Sequence, residues 1–420
     1  MRYIAIVLTG ILTSLFFFPI EFRALPGINT KMMMAVVGFI IAALQAVSRR
    51  DGKVSKDFFV ATVFAAVFSF VSFYSVTYNN TQDLSYATYI ISMWVWFFAA
   101  YCACYMIAFT HGKIDVLLVI NYLVGISVSQ CIIALMIDYI PAVKSIVDTY
   151  VQTGEEMMDR IHRLYGIGAS LDVAGGKFSV VLVMIAVIMT NYDSIRLNRK
   201  SVIIYTACFA LISLIGAMIA RTTYVGTGIG LAYIMYRTEI WKRQIKSSNI
   251  KFWGMLSGVL FVLVLACIYY YNTDPSFREW FRFGFEGFVS WVETGKWVTG
   301  STEILQNMVV FPESLKTWII GDGYMIDPIT GTYYKSTDIG YLRFIFYCGI
   351  TGLTVFASMF VYLSVSCYKQ FSQERHLFLL LLVLVFVIWA KVSTDLFLVY
   401  AMFICILLIQ KYSKQPIIER

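Results

Sequence analysis

The fold is decided at Ser336-Thr337-Asp338-Ile339-Gly340-Tyr341-Leu342-Arg343-Phe344-Ile345-Phe346-Tyr347-Cys348-Gly349, where a long polar loop turns apolar. The apolar run extends to about residue 366, which is long enough to cross the hydrocarbon core of a bilayer. Asp338 and Arg343 are therefore expected at or just inside the bilayer edge. Charge at that depth is costly and usually serves a function.

Composition extends this interpretation to the whole chain. Hydrophobic residues make up 59% of it and charged residues 14%, against about 45–50% and 25% in soluble domains. Apolar runs of roughly 15–25 residues predict twelve membrane spans, near residues 3–20, 31–48, 58–77, 85–108, 114–137, 173–191, 202–220, 224–236, 253–271, 339–366, 376–390 and 396–410. The sequence thus predicts an all-α polytopic integral membrane protein in which residues 1–420 form a single transmembrane domain.

Lysine and arginine positions predict the orientation. Basic residues collect in the loops near residues 49–56, 113, 196–200, 237–251, 369–375 and 411–414. All of these loops fall on the side of the two termini, which the positive-inside rule makes cytoplasmic. The net charge of +8 is explained by these basic cytoplasmic loops. The sequence has no stripe of basic residues with interleaved aromatics, so a nucleic-acid partner is not expected. The first span follows Arg2 without a small-residue cleavage site, which indicates an uncleaved signal anchor.

Two outer loops are long, one over residues 138–172 and a larger subdomain over residues 272–338. In the larger loop, phenylalanines recur at helical spacing from Phe277 to Phe288 beside a stripe that contains Arg278, Arg282 and Glu286. This pattern predicts an amphipathic helix in the headgroup region. A second short helix is predicted to end at Pro312, followed by glycine turns.

Outer-face arginines indicate an anionic ligand, because positive charge is depleted on that side. Arg221 interrupts the apolar run between residues 202 and 236, and the following span of about 13 residues is shorter than the ~20 that cross a bilayer. Arg221 is therefore expected below the outer surface, facing a cavity. A lipid-linked phosphate is a natural partner, since guanidinium groups bind phosphate oxygens bidentately. The alternative is snorkelling to the headgroups, which is at least as good an explanation for Arg278 and Arg282.

Several classes of site lack a sequence signature. The chain contains no Asp-x-Asp pair, zinc-ligand spacing, phosphate-binding glycine loop or lipase-type nucleophile motif, so we expect neither a metal nor a cofactor. The eight cysteines lie in or beside spans and indicate packing rather than disulfides. Lys391 and Asp395 are spaced for a structural ion pair on one helical turn.

Short motifs resemble those of the polymerases that join lipid-linked repeat units of O-antigen and related bacterial polysaccharides, and of the related O-antigen ligases. The resemblance covers the hydropathy layout of nearly the whole chain. Its specific part rests on Arg163-Leu164-Tyr165-Gly166 with Asp172-Val173-Ala174, on Ala220-Arg221-Thr222, and on the segment from Gly321-Asp322-Gly323 to Gly352.

The resemblance implies a metal-independent glycosyltransferase of GT-C-like architecture in the bacterial inner membrane, with its active site facing the periplasm. The donor would be a glycan on undecaprenyl diphosphate, the acceptor a second lipid-linked repeat unit, and a chain-length regulator a possible protein partner. Arg163 and Arg221 match the family's arginine positions and would stabilise the departing diphosphate. Arg343 is assigned a catalytic role beside them. Further substrate contacts are assigned to Arg160, Arg278, Arg282, Asp322, Tyr324 and Tyr341.

Asp338 is assigned the role of general base, with Asp322 as the second candidate. Related ligases carry a histidine in the large outer loop, whereas residues 272–338 contain none, which favours a polymerase over a ligase. The tyrosines either stack on sugar faces or anchor the interface. A flippase for lipid-linked oligosaccharides ranks third, since transporters usually show internal repeats and none is found here.

Overall fold

Every regular element is helical in the residues that the computed structural model describes, namely 2–49, 55–152, 163–242, 247–300 and 308–413. In chain order the helices are α1 (Arg2–Phe17), α2 (Thr30–Arg49), α3 (Lys56–Tyr78), α4 (Tyr89–His111), α5 (Val116–Tyr139), α6 (Pro141–Tyr150), α7 (Leu171–Asn191), α8 (Asp193–Arg196), α9 (Arg199–Ile219), α10 (Thr223–Thr238), α11 (Ser247–Thr273), α12 (Pro275–Gly284), α13 (Glu286–Thr294), α14 (Leu315–Ile319), α15 (Gly340–Gln370), α16 (Arg375–Trp389) and α17 (Phe397–Ser413).

Eight of these helices, α2–α5, α7, α9, α11 and α15, are long and apolar enough to cross a membrane. Four more, α1, α10, α16 and α17, have 15 to 17 residues and occupy the other predicted spans. At 1.5 Å per residue these four are about 22–26 Å long, somewhat less than the ~30 Å hydrocarbon core. The prediction of an all-helical polytopic membrane protein is confirmed, and the count of twelve spans stays a prediction.

The helices group into two compact units, one of residues 1–30, 116–298 and 371–384, the other of residues 31–115, 299–370 and 385–420. In the first unit α7 is the central helix, with 94% of its apolar window buried. It packs most closely on α10, where a Cβ added to Gly226 would lie 2.2 Å from the Ser179 Cα. Ser179 Oγ also donates to Thr222 O (2.9 Å) and accepts from the Gly226 N–H (3.1 Å). Small residues permit such backbone contact, and the contact fixes the turn that carries Arg221.

In the second unit α15 is broken at Cys348 and Gly349, which leave helical geometry. The loop at Gly321–Gly323 fits against the break: the Asp322 N–H donates to Phe346 O (2.6 Å) and the Gly323 N–H to Tyr347 O (3.1 Å). A Cβ at Gly349, whose φ is +68°, would lie 2.0 Å from Ile319 O. The loop thus satisfies carbonyl groups that the break releases, as apolar surroundings require.

The predicted amphipathic helix at residues 277–292 is two helices, α12 and α13, which meet at Phe285. The rings of Phe281 and Phe285 stack there with centroids 4.4 Å apart. The single predicted helix is wrong, because Phe285 (φ −104°, ψ 24°) leaves helical geometry at the junction. The predicted helix that ends at Pro312 lies partly outside the described residues, and residues 308–312 are not helical.

Candidate functional site

Two predicted arginines converge on one aromatic ring in the first unit. The guanidinium carbons of Arg163 and Arg221 lie 4.5 Å and 4.3 Å from the centroid of the Phe283 ring. Arg163 precedes α7 and Arg221 lies between α9 and α10, so three separate parts of the chain build this cluster. Two guanidinium groups held on one ring form a cluster that the linear sequence does not reveal.

Arg221 is held in a fixed orientation by two partners. Its Nε donates to the carbonyl of Phe283 (2.9 Å), and its Nη2 lies 2.5 Å from Glu286 Oε2. The side chain is 17% exposed. These contacts fix the plane of the guanidinium, and a planar fork of donors is the geometry that matches a phosphate.

Arg163 lies beside the first turn of α7. Burial lowers the pKa of its guanidinium; the nearby Asp172 opposes that shift and Arg221 adds to it. The hydroxyl of Thr222 donates to Asp172 Oδ1, which ties the two arginine loops together. Arg163 Nε is buried and has no hydrogen-bond partner among the described residues. An unsatisfied donor on a charged group is expensive, so an anionic oxygen bound here would be stabilising.

A polar pocket of about 340 Å³ opens beside Arg221. It is lined by Arg221, Arg282, Phe283, Glu286, Val289, Ser290, Glu293 and Thr294. Arg282 and Glu293 form a bidentate pair at 2.9 and 3.0 Å, which raises the pKa of the arginine. Arg278 points elsewhere, since its Nε donates to Tyr271 O (2.9 Å) at the end of α11.

An apolar cavity of about 490 Å³ adjoins the polar pocket, and Val289 lines both. Its walls come from α9, α10 and α11, and Phe281 and Phe285 close one end. The hydroxyl of Tyr224, on the cavity wall, is buried without a partner among the described residues. The first unit therefore places a charged pocket directly next to an apolar chamber.

In the second unit, Asp338 and Arg343 form an ion pair at 2.8 Å. The guanidinium of Arg343 lies 4.0 Å from the centroid of the Tyr333 ring, and its side chain is 10% exposed. Its Nε, like that of Arg163, is buried without a partner in the described part of the chain. The structure thus joins two more predicted residues, in a unit different from the one that holds Arg163 and Arg221.

The other predicted residues of this unit have architectural contacts. Asp322 accepts from Lys316 Nζ (2.7 Å), Thr317 Oγ1 (2.8 Å) and the Tyr334 hydroxyl (3.3 Å). Burial, followed by the charge of Asp322, raises the pKa of Tyr334 to about 12. The ring of Tyr324 packs on Tyr334. These contacts hold the glycine loop against the break in α15.

Tyr341 also has a structural contact, since its hydroxyl donates to the backbone oxygen of Phe386 (2.8 Å). Arg160 lies outside the described residues. No group of three histidine, cysteine, aspartate or glutamate side chains placed to hold a metal is found within the described ranges.

Sequence analysis assigns no role to Phe283, Glu286 or Lys177. Lys177 is 3% exposed in the second turn of α7, with its Nζ 5.4 Å from the Phe18 ring centroid. It is the one charged residue in the run 173–191, and that interruption was a usable signal. Phe283 and Glu286 have no such signal in the sequence, because their importance comes from contact with Arg221.

No family model, curated protein or solved structure matches this chain.

Proposed function

We propose that this chain is a membrane-embedded glycosyltransferase that polymerises oligosaccharide repeat units carried on undecaprenyl diphosphate. In this proposal it lies in a bacterial inner membrane with about twelve spans, both termini cytoplasmic and the arginine site facing the periplasm. The product is O-antigen or a related surface polysaccharide.

The observation that carries the proposal is that Arg221, which shares the Phe283 ring with Arg163, lines a polar pocket that adjoins an apolar cavity. A polyprenyl diphosphate has the same two parts, a dianionic head and a long hydrocarbon chain. The head fits beside the guanidinium groups, and the 490 Å³ cavity takes the first isoprene units of the chain. A soluble sugar nucleotide would leave the apolar cavity unused.

The proposed reaction follows from this placement. The acceptor hydroxyl oxygen attacks the anomeric carbon of the donor sugar, the bond from that carbon to the diphosphate oxygen breaks, and the hydroxyl proton passes to a carboxylate. Negative charge grows on the departing diphosphate, so fixed cations stabilise the transition state more than the ground state. Arg163 and Arg221 supply that charge from a preorganised position.

Two carboxylates are candidates for the base. Glu286 lines the polar pocket, where its Oε2 lies 2.5 Å from Arg221. Asp338, the residue predicted from sequence, pairs with Arg343 in the second unit. A base needs to reach the acceptor hydroxyl within hydrogen-bond distance. Of the two carboxylates that line the pocket, Glu293 makes a two-bond pair with Arg282, which leaves Glu286 as the candidate there.

Reconstitution tests the proposal directly. Purified protein in liposomes, given a lipid-linked repeat unit and EDTA, should form a ladder of longer lipid-linked glycans. Arg221→Ala should abolish the ladder, whereas Arg375→Ala, which removes an exposed arginine at the start of α16, should keep it. A wild-type protein that extends no glycan, or transfers glycan only to a lipid A core, would refute the polymerase assignment.

A further inference from the structure

A second, larger groove runs along the opposite side of α11, between that helix and α9. It measures about 1110 Å³ and follows α11 from Lys251 to Ala266, about 22 Å at 1.5 Å per residue. Gly254 and Gly258 form part of its floor, and a Cβ added to either would meet nothing within 4 Å. Its walls include Ile203, Met255, Val259 and Val262.

Positive charge is confined to one end of this groove. Arg196, Arg199 and Lys251 lie there, and none of the described lining residues is acidic. Arg196 is oriented by a hydrogen bond to Asn249 Oδ1. The groove therefore offers three cations followed by about four helical turns of apolar wall. This arrangement is complementary to an anionic lipid, which has a negative headgroup followed by an apolar chain.

We propose that this groove binds an anionic diacyl phospholipid, with the headgroup phosphate at the three cations and an acyl chain along α11. Only 11% of the apolar window of α11 is buried within the chain, so this helix needs outside material to fill the gap to α9. In the orientation proposed above, the basic end lies at the cytoplasmic leaflet, which contains anionic lipids. Each nearby lysine or arginine strengthens the binding of such a lipid about fivefold.

The bound lipid would also support the site described above. Leu263 lines both this groove and the apolar cavity, so α11 is the partition between them. Filling the outer side holds the partition in place. This consequence rests on the proposed function, whereas lipid binding itself does not.

Native mass spectrometry of the full-length protein in neutral detergent tests the binding. Phosphatidylglycerol should bind more tightly than phosphatidylcholine, and the double variant Arg199→Ala/Lys251→Ala should weaken phosphatidylglycerol binding by about 25-fold, the product of two fivefold terms. Gly258→Phe, which fills the groove, should block both lipids. Lys242→Ala, which removes an exposed lysine outside the groove, should bind phosphatidylglycerol as the wild type does.

Three results would overturn the inference. Equal phosphatidylglycerol binding in the wild type and the double variant would exclude a charge-selected site. Unchanged binding in Gly258→Phe would exclude the groove. Competition by soluble glycerol phosphate at the same concentration as the lipid would show a simple anion site. Thermal midpoints measured without lipid should match among all variants, which separates lost binding from lost folding.

Discussion

Replacing Arg221 by alanine tests the arginine site most sharply. The change removes the guanidinium that Phe283 O and Glu286 hold, and with it one of the two cations on the Phe283 ring. Loss of one preorganised donor to developing negative charge typically lowers kcat by about 10²–10³, or roughly 2.7–4 kcal/mol of transition-state stabilisation. We therefore expect Arg221→Ala to retain at most about a hundredth of the wild-type polymerisation rate.

Arg221→Lys separates charge from geometry. Lysine keeps the positive charge but lacks the planar fork that allows contact with Phe283 O, Glu286 and a phosphate together. We expect it to recover only a small part of the rate lost in Arg221→Ala. Full recovery would show that charge alone suffices and would contradict the argument from fixed orientation.

The assay is single-turnover extension of a labelled lipid-linked repeat unit in liposomes, with protein amounts matched by immunoblot. Arg375→Ala serves as the exposed arginine control. Normal extension by Arg221→Ala would refute the site. Disappearance of Arg221→Ala from the membrane would equally contradict the argument, because it would make Arg221 a folding residue.

Three more predictions concern the same structure. Gly226→Ala should lower the thermal midpoint by the equivalent of about 1–3 kcal/mol, because the new Cβ meets Ser179 Cα. Gly228→Ala on the same helix should not lower it, because there is open space around Gly228. Equal midpoints in the two variants would refute the tight α7–α10 contact. Burial raises the pKa of Asp395, in the connection between α16 and α17, to about 6 from 3.8, so its contribution to stability is fully present below about pH 3.8 and is lost as pH rises through about 6. The wild-type midpoint in detergent should fall over that window, and Asp395→Asn should flatten the slope. Glu286→Gln should cut the extension rate at least tenfold if Glu286 is the base, and a rate within twofold of wild type would exclude Glu286 from that role.

Hydropathy alone predicts much of the helical layout, because apolar length is a strong constraint on spanning helices. The predicted span 253–271, for example, lies inside the helix Ser247–Thr273. The break at Cys348 and Gly349 escaped prediction, since a glycine within an apolar run is common and only the close approach of Ile319 explains it. The division of residues 277–292 at Phe285 escaped for a similar reason, because the periodicity of phenylalanines continues across the junction.

The site was predictable as a set of residue types but not as a cluster. Arg163 and Arg221 stand out in sequence because the predicted topology puts them on the outer side, where cations are rare. Their meeting on Phe283 depends on the packing of α7 against α10 and on the position of α12, which contains Phe283. No local sequence pattern encodes either. Asp322 stands out in sequence because it lies in a glycine turn, and it was therefore predicted to contact substrate. In the structure its carboxylate accepts hydrogen bonds from Lys316, Thr317 and Tyr334, which hold the loop in place.

The most direct test of the polymerase proposal is gel analysis of surface glycan from a strain that lacks this gene. We predict that the long-chain ladder is lost while a single repeat unit remains attached to the acceptor lipid, and that wild-type protein, but not Arg221→Ala, restores the ladder. Complete absence of attached glycan, with full-length polymer on the carrier lipid, would contradict this account and indicate a ligase. An unchanged ladder would exclude both activities.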